Sequence, residues 1–244
     1  RINNMPAFGG GNIAEKNAAN SSAKLRSGFS STVNTSFTVT SNAMTVDSTP
    51  NSYINTGEGN PNNIKRLSAF TSTVKVSIAD TGTRGMTWDS NSGGNFYDMS
   101  GTTKIHRHTA FTSTINASII DGGVGTNLWD VSHDGTNVIG VDFGNTKYKR
   151  YSAFTSTIKA SFSLADIVSP RGGSWDGTNN IVSDGSLPTA GWLKYSAFTS
   201  TIKTSFTVAV TPHGSEWDKT ADRFPAAGGG VVVLYPSLLL MNAG

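Results

Sequence analysis

Ser152-Ala153-Phe154-Thr155-Ser156-Thr157-Ile158-Lys159-Ala160-Ser161-Phe162 recurs along the chain in close copies that begin at Ser27, Ser68, Thr109 and Ser196. The five starts are 41, 41, 43 and 44 residues apart. A period of this size, with four short strand-like runs per unit, is the pattern of blades in a β-propeller. Working outward, a second marker interleaves with the first: Trp88-Asp89, Trp129-Asp130, Trp175-Asp176 and Trp217-Asp218, with Val46-Asp47 at the corresponding earlier place. A turn follows the marker, clearest in Asp176-Gly177-Thr178-Asn179. Glycine accepts the positive φ of such a turn, so Asp-Gly between strand-like runs reads as a hairpin.

Each unit then resolves into four strands. Strand A ends in the Trp-Asp marker (85–89); strand B follows the turn (95–99, 138–142, 180–184); strand C is the segment at 104–108, 147–151 and 192–195; strand D is 158–162 and its copies. In strand D, Ile158, Ala160 and Phe162 alternate with Lys159 and Ser161, as a half-buried strand requires. Residues 4–13 and 23–26 read as degenerate A, B and C strands of a first blade, and 223–224, 231–235 and 238–241 as B, C and D of a last one. The expectation is one all-β domain over 1–244, a six-bladed propeller with blades at about 2–40, 41–81, 82–122, 123–167, 168–210 and 211–244. The alternative is a five-bladed ring in which residues 12–38 supply B, C and D to a strand A at 214–218.

Composition narrows the function classes. Charged residues are 14% of the chain, well below the roughly 25% of average soluble domains, which suits exposed strands and many turns. The net charge is +3 and no Lys/Arg run has the length of a nucleic-acid tail, so no nucleic-acid partner is expected. The absence of cysteine excludes disulfides and thiolate metal sites. The first residue is Arg1, which reads as a processed or partial chain. The apolar stretch 231–241, interrupted by Pro236, is about half the ~20 residues of a spanning helix and reads as buried strand.

A residue present in every blade is first a building residue. Trp88, Trp129, Trp175 and Trp217 would fill the space between sheets, while Asp89, Asp130, Asp176 and Asp218 would bind backbone amides in the turns. The competing reading makes Asp47 and those four aspartates a cation-binding ring at one mouth of the channel. Phe29, Phe70, Phe111, Phe154 and Phe198 read as packing residues, and the neighbouring hydroxyls as turn hydrogen-bonding groups. Repeated sugar sites, with Tyr148, Tyr151, Trp192 or Tyr195 as stacking faces, are the functional counter-reading. Strand C carries Lys24, Arg26, Lys65, Arg66, Lys104, Arg107, Lys147, Lys149, Arg150 and Lys194, read as solvent-facing edge protection or as a belt for an acidic partner. His106 and His108 share one strand face and read as exposed edge residues, with a metal pair as the alternative, and no nucleophile elbow, phosphate loop or zinc helix motif is present. No catalytic residue, cofactor or metal site is assigned. The loops 121–127, 163–174 and 208–216 vary between units, and Ser169, Pro170 and Arg171 in the longest of them are the candidate partner contact.

Units built from Trp-Asp-Gly-Thr-Asn (175–179), an apolar B strand, Lys-Tyr-Lys (147–149) and Ser-Ala-Phe-Thr-Ser-Thr-Ile (152–158) resemble propeller repeats of predicted bacteriophage and environmental viral proteins, across about residues 22–218. More distantly they are similar to the blades of NHL-like and glutaminyl-peptide cyclotransferase-like propellers. The resemblance implies a non-enzymatic structural or binding module at the cell exterior or on a virion, as part of a phage tail, fibre or capsid surface. Its expected partners are other virion proteins or a host-surface glycan, with self-association as a further expectation. A secreted multivalent lectin, and further back a cyclotransferase-like enzyme, are the competing expectations.

Overall fold

The computed structural model describes residues 35–38, 43–47, 52–55, 63–68, 71, 73–79, 83–89, 94–186, 190–207, 212–215, 224–228 and 231–235. The described residues form strands and no helix, hence none long and apolar enough to cross a membrane.

β1 (Thr35–Thr38) comes first in the chain and is the outermost strand of the sheet that the chain completes last. The next sheet holds β2 (Ala43–Val46), β3 (Ser52–Asn55), β4 (Asn63–Leu67) and β5 (Val74–Ala79). It is followed by β6 (Thr83–Asp89), β7 (Asn95–Ser100), β8 (Lys104–His108) and β9 (Ile115–Ile120), then by β10 (Leu128–His133), β11 (Val138–Asp142), β12 (Lys147–Tyr151) and β13 (Ile158–Ser163). A further sheet comprises β14 (Pro170–Trp175), β15 (Asn180–Asp184), β16 (Gly191–Tyr195) and β17 (Ile202–Thr207). Each is an antiparallel meander in chain order, the shortest way to pair strands joined by tight turns. Strands B, C and D fall where the alternation places them; the expected segment 180–184 is β15 and 147–151 is β12.

The remaining sheet joins the two ends of the described chain, in the order β1-β20-β19-β18, from β18 (Pro212–Ser215), β19 (Phe224–Gly228) and β20 (Val231–Tyr235). Thr35 pairs with Leu234 and Thr38 with Val231. The D strand expected to finish a first blade thus finishes the last sheet, in place of the expected 238–241. The physical reason is the ladder: an apolar strand such as β20 needs a hydrogen-bonded partner on its outer side, and β1, a copy of the repeat's own D strand, supplies it. The expected early strands at 4–13 and 23–26, and the segment 238–241, lie outside the described residues.

The first strands of the sheets meet in cyclic order, β2 against β6, β6 against β10, β10 against β14, β14 against β18, and β18 against β2. The sheets are therefore set face to face around a common axis, the propeller-like arrangement, and the core is divided among the gaps between them. Ala43, Ile64, Met86 and Phe96 fill the gap between the β2–β5 and β6–β9 sheets. Tyr97, Met99, Ile105, Ile119, Leu128, Val131, Val138 and Tyr151 fill the next gap, and Ile139, Val141, Tyr148, Leu164, Ile167, Val182 and Tyr195 the one after it. Sequence period two becomes spatial period one: alternate residues of a strand face alternate neighbouring blades.

Candidate functional site

Strand register decides which residues are equivalent between blades. Trp88 pairs with Phe96, Trp175 with Asn180 and His133 with Val138, each at the start of strand B. The counterpart of Trp88-Asp89 and Trp175-Asp176 in the β10–β13 sheet is therefore His133-Asp134, four residues beyond the expected Trp129-Asp130. The turns agree. Asp134 Oδ1 accepts the amides of Thr136 and Asn137 at 3.0 and 2.7 Å, as Asp176 Oδ1 accepts those of Thr178 and Asn179 at 2.9 and 2.6 Å. Burial alone would raise the Asp134 carboxyl, but these amides and the Asn137 side chain hold it below the usual range. Asp89 is buried and accepts the Tyr97 hydroxyl. Asp47 is also buried at the end of β2, while Trp217 and Asp218 lie outside the described residues.

Asp130 has a different place. It sits within the innermost strand, with Oδ1 accepting the Val131 amide and Oδ2 the Gly173 amide of the following sheet, both at 2.8 Å. Gly85 lies so close to Asp130 that a Cβ there would collide with its backbone and carboxylate. One position earlier on the successive inner strands stand Arg84, Trp129, Arg171 and His213. The guanidinium carbons of Arg84 and Arg171 are 4.3 and 4.8 Å from the centroid of the Trp129 ring, so Trp129 is a bridge between two cations rather than a filler between sheets. Arg171 thus turns inward from the loop expected to hold a partner. Ser169 donates its amide to Asp184 Oδ1 at 3.1 Å, Pro170 is buried, and the exposed residues of that loop are Ser163, Ala165, Asp166 and Val168.

The Phe-Thr-Ser-Thr segments form the same C-to-D turn wherever they are described. Thr155 Oγ1 donates to the Ser152 carbonyl at 2.7 Å and accepts the Thr157 amide at 3.3 Å; Thr71, Thr112 and Thr199 repeat both bonds. Ala110, Ala153 and Ala197 all hold φ near +50° in this turn. Phe111 packs edge-on against Phe96, Phe154 against Tyr97, and Phe198 against Tyr148 and Phe162. Arg107 and Arg150 of one sheet lie over Phe154 and Phe198 of the next. Phe29 and Phe70 lie outside the described residues.

Strand C is interior to its sheet, and part of its charge is buried. Lys149 binds Asp121 and Asp142 at 2.7 and 2.6 Å, and Lys194 binds Asp176 at 2.7 Å. Tyr151 donates to the same Asp121 at 2.6 Å. The reading of strand C as a solvent-facing edge fails at these lysines because strand D covers it and supplies the true edge. Lys104 and Lys147 remain exposed. Tyr148, Tyr151, Trp192 and Tyr195 are fully buried and offer no stacking face to a sugar.

His106 and His108 also lie on an interior strand rather than an edge, and His108 is buried. His106 is the register partner of Asp98, and His108 that of Phe96, so all four project from one face, toward the β2–β5 sheet. His108 Nε2 and Asp98 Oδ2 are hydrogen-bonded at 2.7 Å, and His106 Nδ1 stands 3.6 Å from Asp98 Oδ1. Among the described residues this is the one group of three His or carboxylate residues whose ligand atoms lie within 4.8 Å of one another. The Asp47, Asp89, Asp130 and Asp176 set forms no such group. Asp98 was invisible as a partner because only the cross-strand register brings it beside the histidines.

No family model and no curated protein matches the chain. Among solved structures, Myxococcus xanthus glutaminyl cyclase aligns with a TM-score of 0.66 at 9% identity, over 84% of this chain and 95% of that one. A chain of a mitotic checkpoint complex aligns with a TM-score of 0.50 at 10% identity, over 80% of this chain and 63% of that one. Chaetomium thermophilum Raptor aligns with a TM-score of 0.47 at 13% identity, over 80% of this chain and only 19% of that one. At such identities the first of these likenesses defines a class, an all-β propeller-like fold, and nothing of its chemistry passes to this chain.

Proposed function

We propose that the chain is a closed five-bladed propeller acting as a non-enzymatic structural and binding module of a virion surface, docking to neighbouring protein chains through its rim. The ring closes by pairing β1 with β20. The repeated polar residues support this reading because their hydrogen bonds are spent within the fold: the turn aspartates hold amides, the Thr hydroxyls hold their own loops, and Lys149 and Lys194 are paired internally.

One observation carries the proposal. The outer strands β5, β9, β13 and β17 each begin with an exposed β-branched residue, Val74, Ile115, Ile158 and Ile202, between 37% and 47% exposed. These strands have one unpaired backbone edge each. An apolar side chain beside an open ladder edge is a point for strand addition, and its repetition round a rigid ring multiplies weak contacts. Sugar binding has less support, since the aromatic rings that would stack on it are buried.

The test is the mass of the native particle by light scattering, for the wild type and for a Val74→Lys, Ile115→Lys, Ile158→Lys, Ile202→Lys variant. A wild type recovered in a large assembly of fixed composition, with the variant released as a folded unit near 25.6 kDa, is the expected result. A wild type that is already a free unit of that mass overturns the proposal.

A further inference from the structure

We infer that Asp98, His106 and His108 form a binding site for one divalent transition-metal ion, of which Zn2+ is the simplest probe, in the gap between the β2–β5 and β6–β9 sheets. Two imidazoles and one carboxylate are a borderline donor set that suits Zn2+, Co2+, Ni2+ or Fe2+ better than the all-oxygen shell preferred by Ca2+ or Mg2+.

The cross-strand pair Asp98 and His106, with His108 two residues along β8, puts three donors on one face. Asp98 is wholly inaccessible, yet its Oδ1 has no hydrogen-bond partner, and His106 Nδ1, also buried, has none either. Such orphaned polar atoms are costly in an apolar gap and ask for an explanation. An ordinary Asp–His hydrogen bond accounts for Asp98 Oδ2 and His108 but leaves both orphans facing each other at 3.6 Å. That separation is too long for a hydrogen bond and close to the ~3.0–3.5 Å between two ligands that each lie ~2.0–2.2 Å from one ion. An ion there would neutralise Asp98, satisfy both orphans and displace the proton shared with His108. The His106 side chain is 12% exposed and marks the way in from solvent.

The repeat itself argues for a local purpose. The register-equivalent positions in the next sheet are Gly140, Lys149 and Tyr151, and in the one after it Val182, Leu193 and Tyr195. Those triplets pack or pair internally; this one alone among the three carries metal-ligand chemistry. Its place across β7 and β8 makes it a fastener of that sheet, with the remaining coordination positions open to water.

The experiment is calorimetric titration of the metal-free full-length protein with Zn2+, together with the visible spectrum of the Co2+ form and the thermal midpoint with and without metal. Saturable binding at one ion per chain is expected, with the intense visible bands of four- or five-coordinate Co2+ and a raised midpoint. His106→Gln, at the least buried of the three positions, should keep the fold and weaken binding by at least about 100-fold, beyond the loss expected for a residue that merely orients a ligand. Asp98→Asn should do the same, while His213→Gln, on a different strand, should bind as the wild type does. Absence of stoichiometric binding overturns the site. So does binding that survives His106→Gln unchanged, which would place the ion elsewhere.

Discussion

Ala153 is the smallest unit of the repeat that carries strain. At φ +48° it occupies the left-handed region, as Ala110 and Ala197 do in the other turns, where a Cβ costs roughly 1 kcal/mol. The first copy has glycine at the corresponding position, Gly28. Ala153→Gly should therefore stabilise the fold by about 0.5 kcal/mol after the entropy lost by a more flexible unfolded chain, whereas Ala153→Val should destabilise it; calorimetric midpoints decide. Lys149 is the residue with most at stake. Burial opposes its charge, but Asp121 and Asp142 raise its pKa above the ordinary lysine value. Burial would raise both carboxyls, yet hydrogen bonds from Lys149, and from Tyr151 and the Gly123 amide at Asp121 or the Asn127 amide at Asp142, hold them below the ordinary value. Lowered carboxyl pKa values give stability present above about pH 4 and lost as pH falls through them; the raised lysine gives stability lost only as pH climbs beyond about 10.5. Lys149→Met should cost about 3–5 kcal/mol at neutral pH and flatten or invert the acid limb of a urea-midpoint profile, because two buried carboxylates that face each other without a cation are relieved by protonation.

At the scale of the element, the strands were legible and their partners were not. Alternation along 158–162 and the Asp-Gly turns locate β-strands from contiguous residues, and β12 and β15 begin and end where the pattern says. The Trp-Asp marker misled in one blade because Trp129-Asp130 and His133-Asp134-Gly135-Thr136-Asn137 stand four residues apart and only the second forms the turn. Letter identity favoured the tryptophan; hydrogen-bond geometry selects the Asp-Gly-Thr-Asn that follows the histidine. β1 offers the element-scale prediction. A chain that starts after Thr38 leaves β20 with an open outer edge, and it should associate or melt several degrees lower, with a synthetic peptide spanning residues 27–38 restoring the midpoint. An unchanged midpoint without the peptide would mean that the closing ladder contributes nothing.

For the whole molecule, a ring of face-to-face sheets explains why its identity resides in gaps and rim. Each gap is a separate small core, so a blade can carry a private constellation such as Asp98, His106 and His108 without disturbing its neighbours, as expected for repeat arrays coupled mainly to nearest neighbours. The rim, by contrast, repeats Val74, Ile115, Ile158 and Ile202 at equivalent positions, and the four-lysine variant should separate assembly from folding for that reason. Lost assembly with an unchanged melting curve is the expected whole-molecule signature.

Period, strand alternation, the Asp-Gly turns and the packing role of Phe111, Phe154 and Phe198 were determined by the sequence itself, since each depends on residues close together in the chain. The tertiary structure alone decided that β1 closes against β20, that Lys149 is buried between two carboxylates, that Trp129 is held between Arg84 and Arg171, and that Asp98 stands beside two histidines. Those facts depend on register between strands and on which blade faces which. A one-residue shift in register turns a side chain to the opposite face, so no local pattern can contain them.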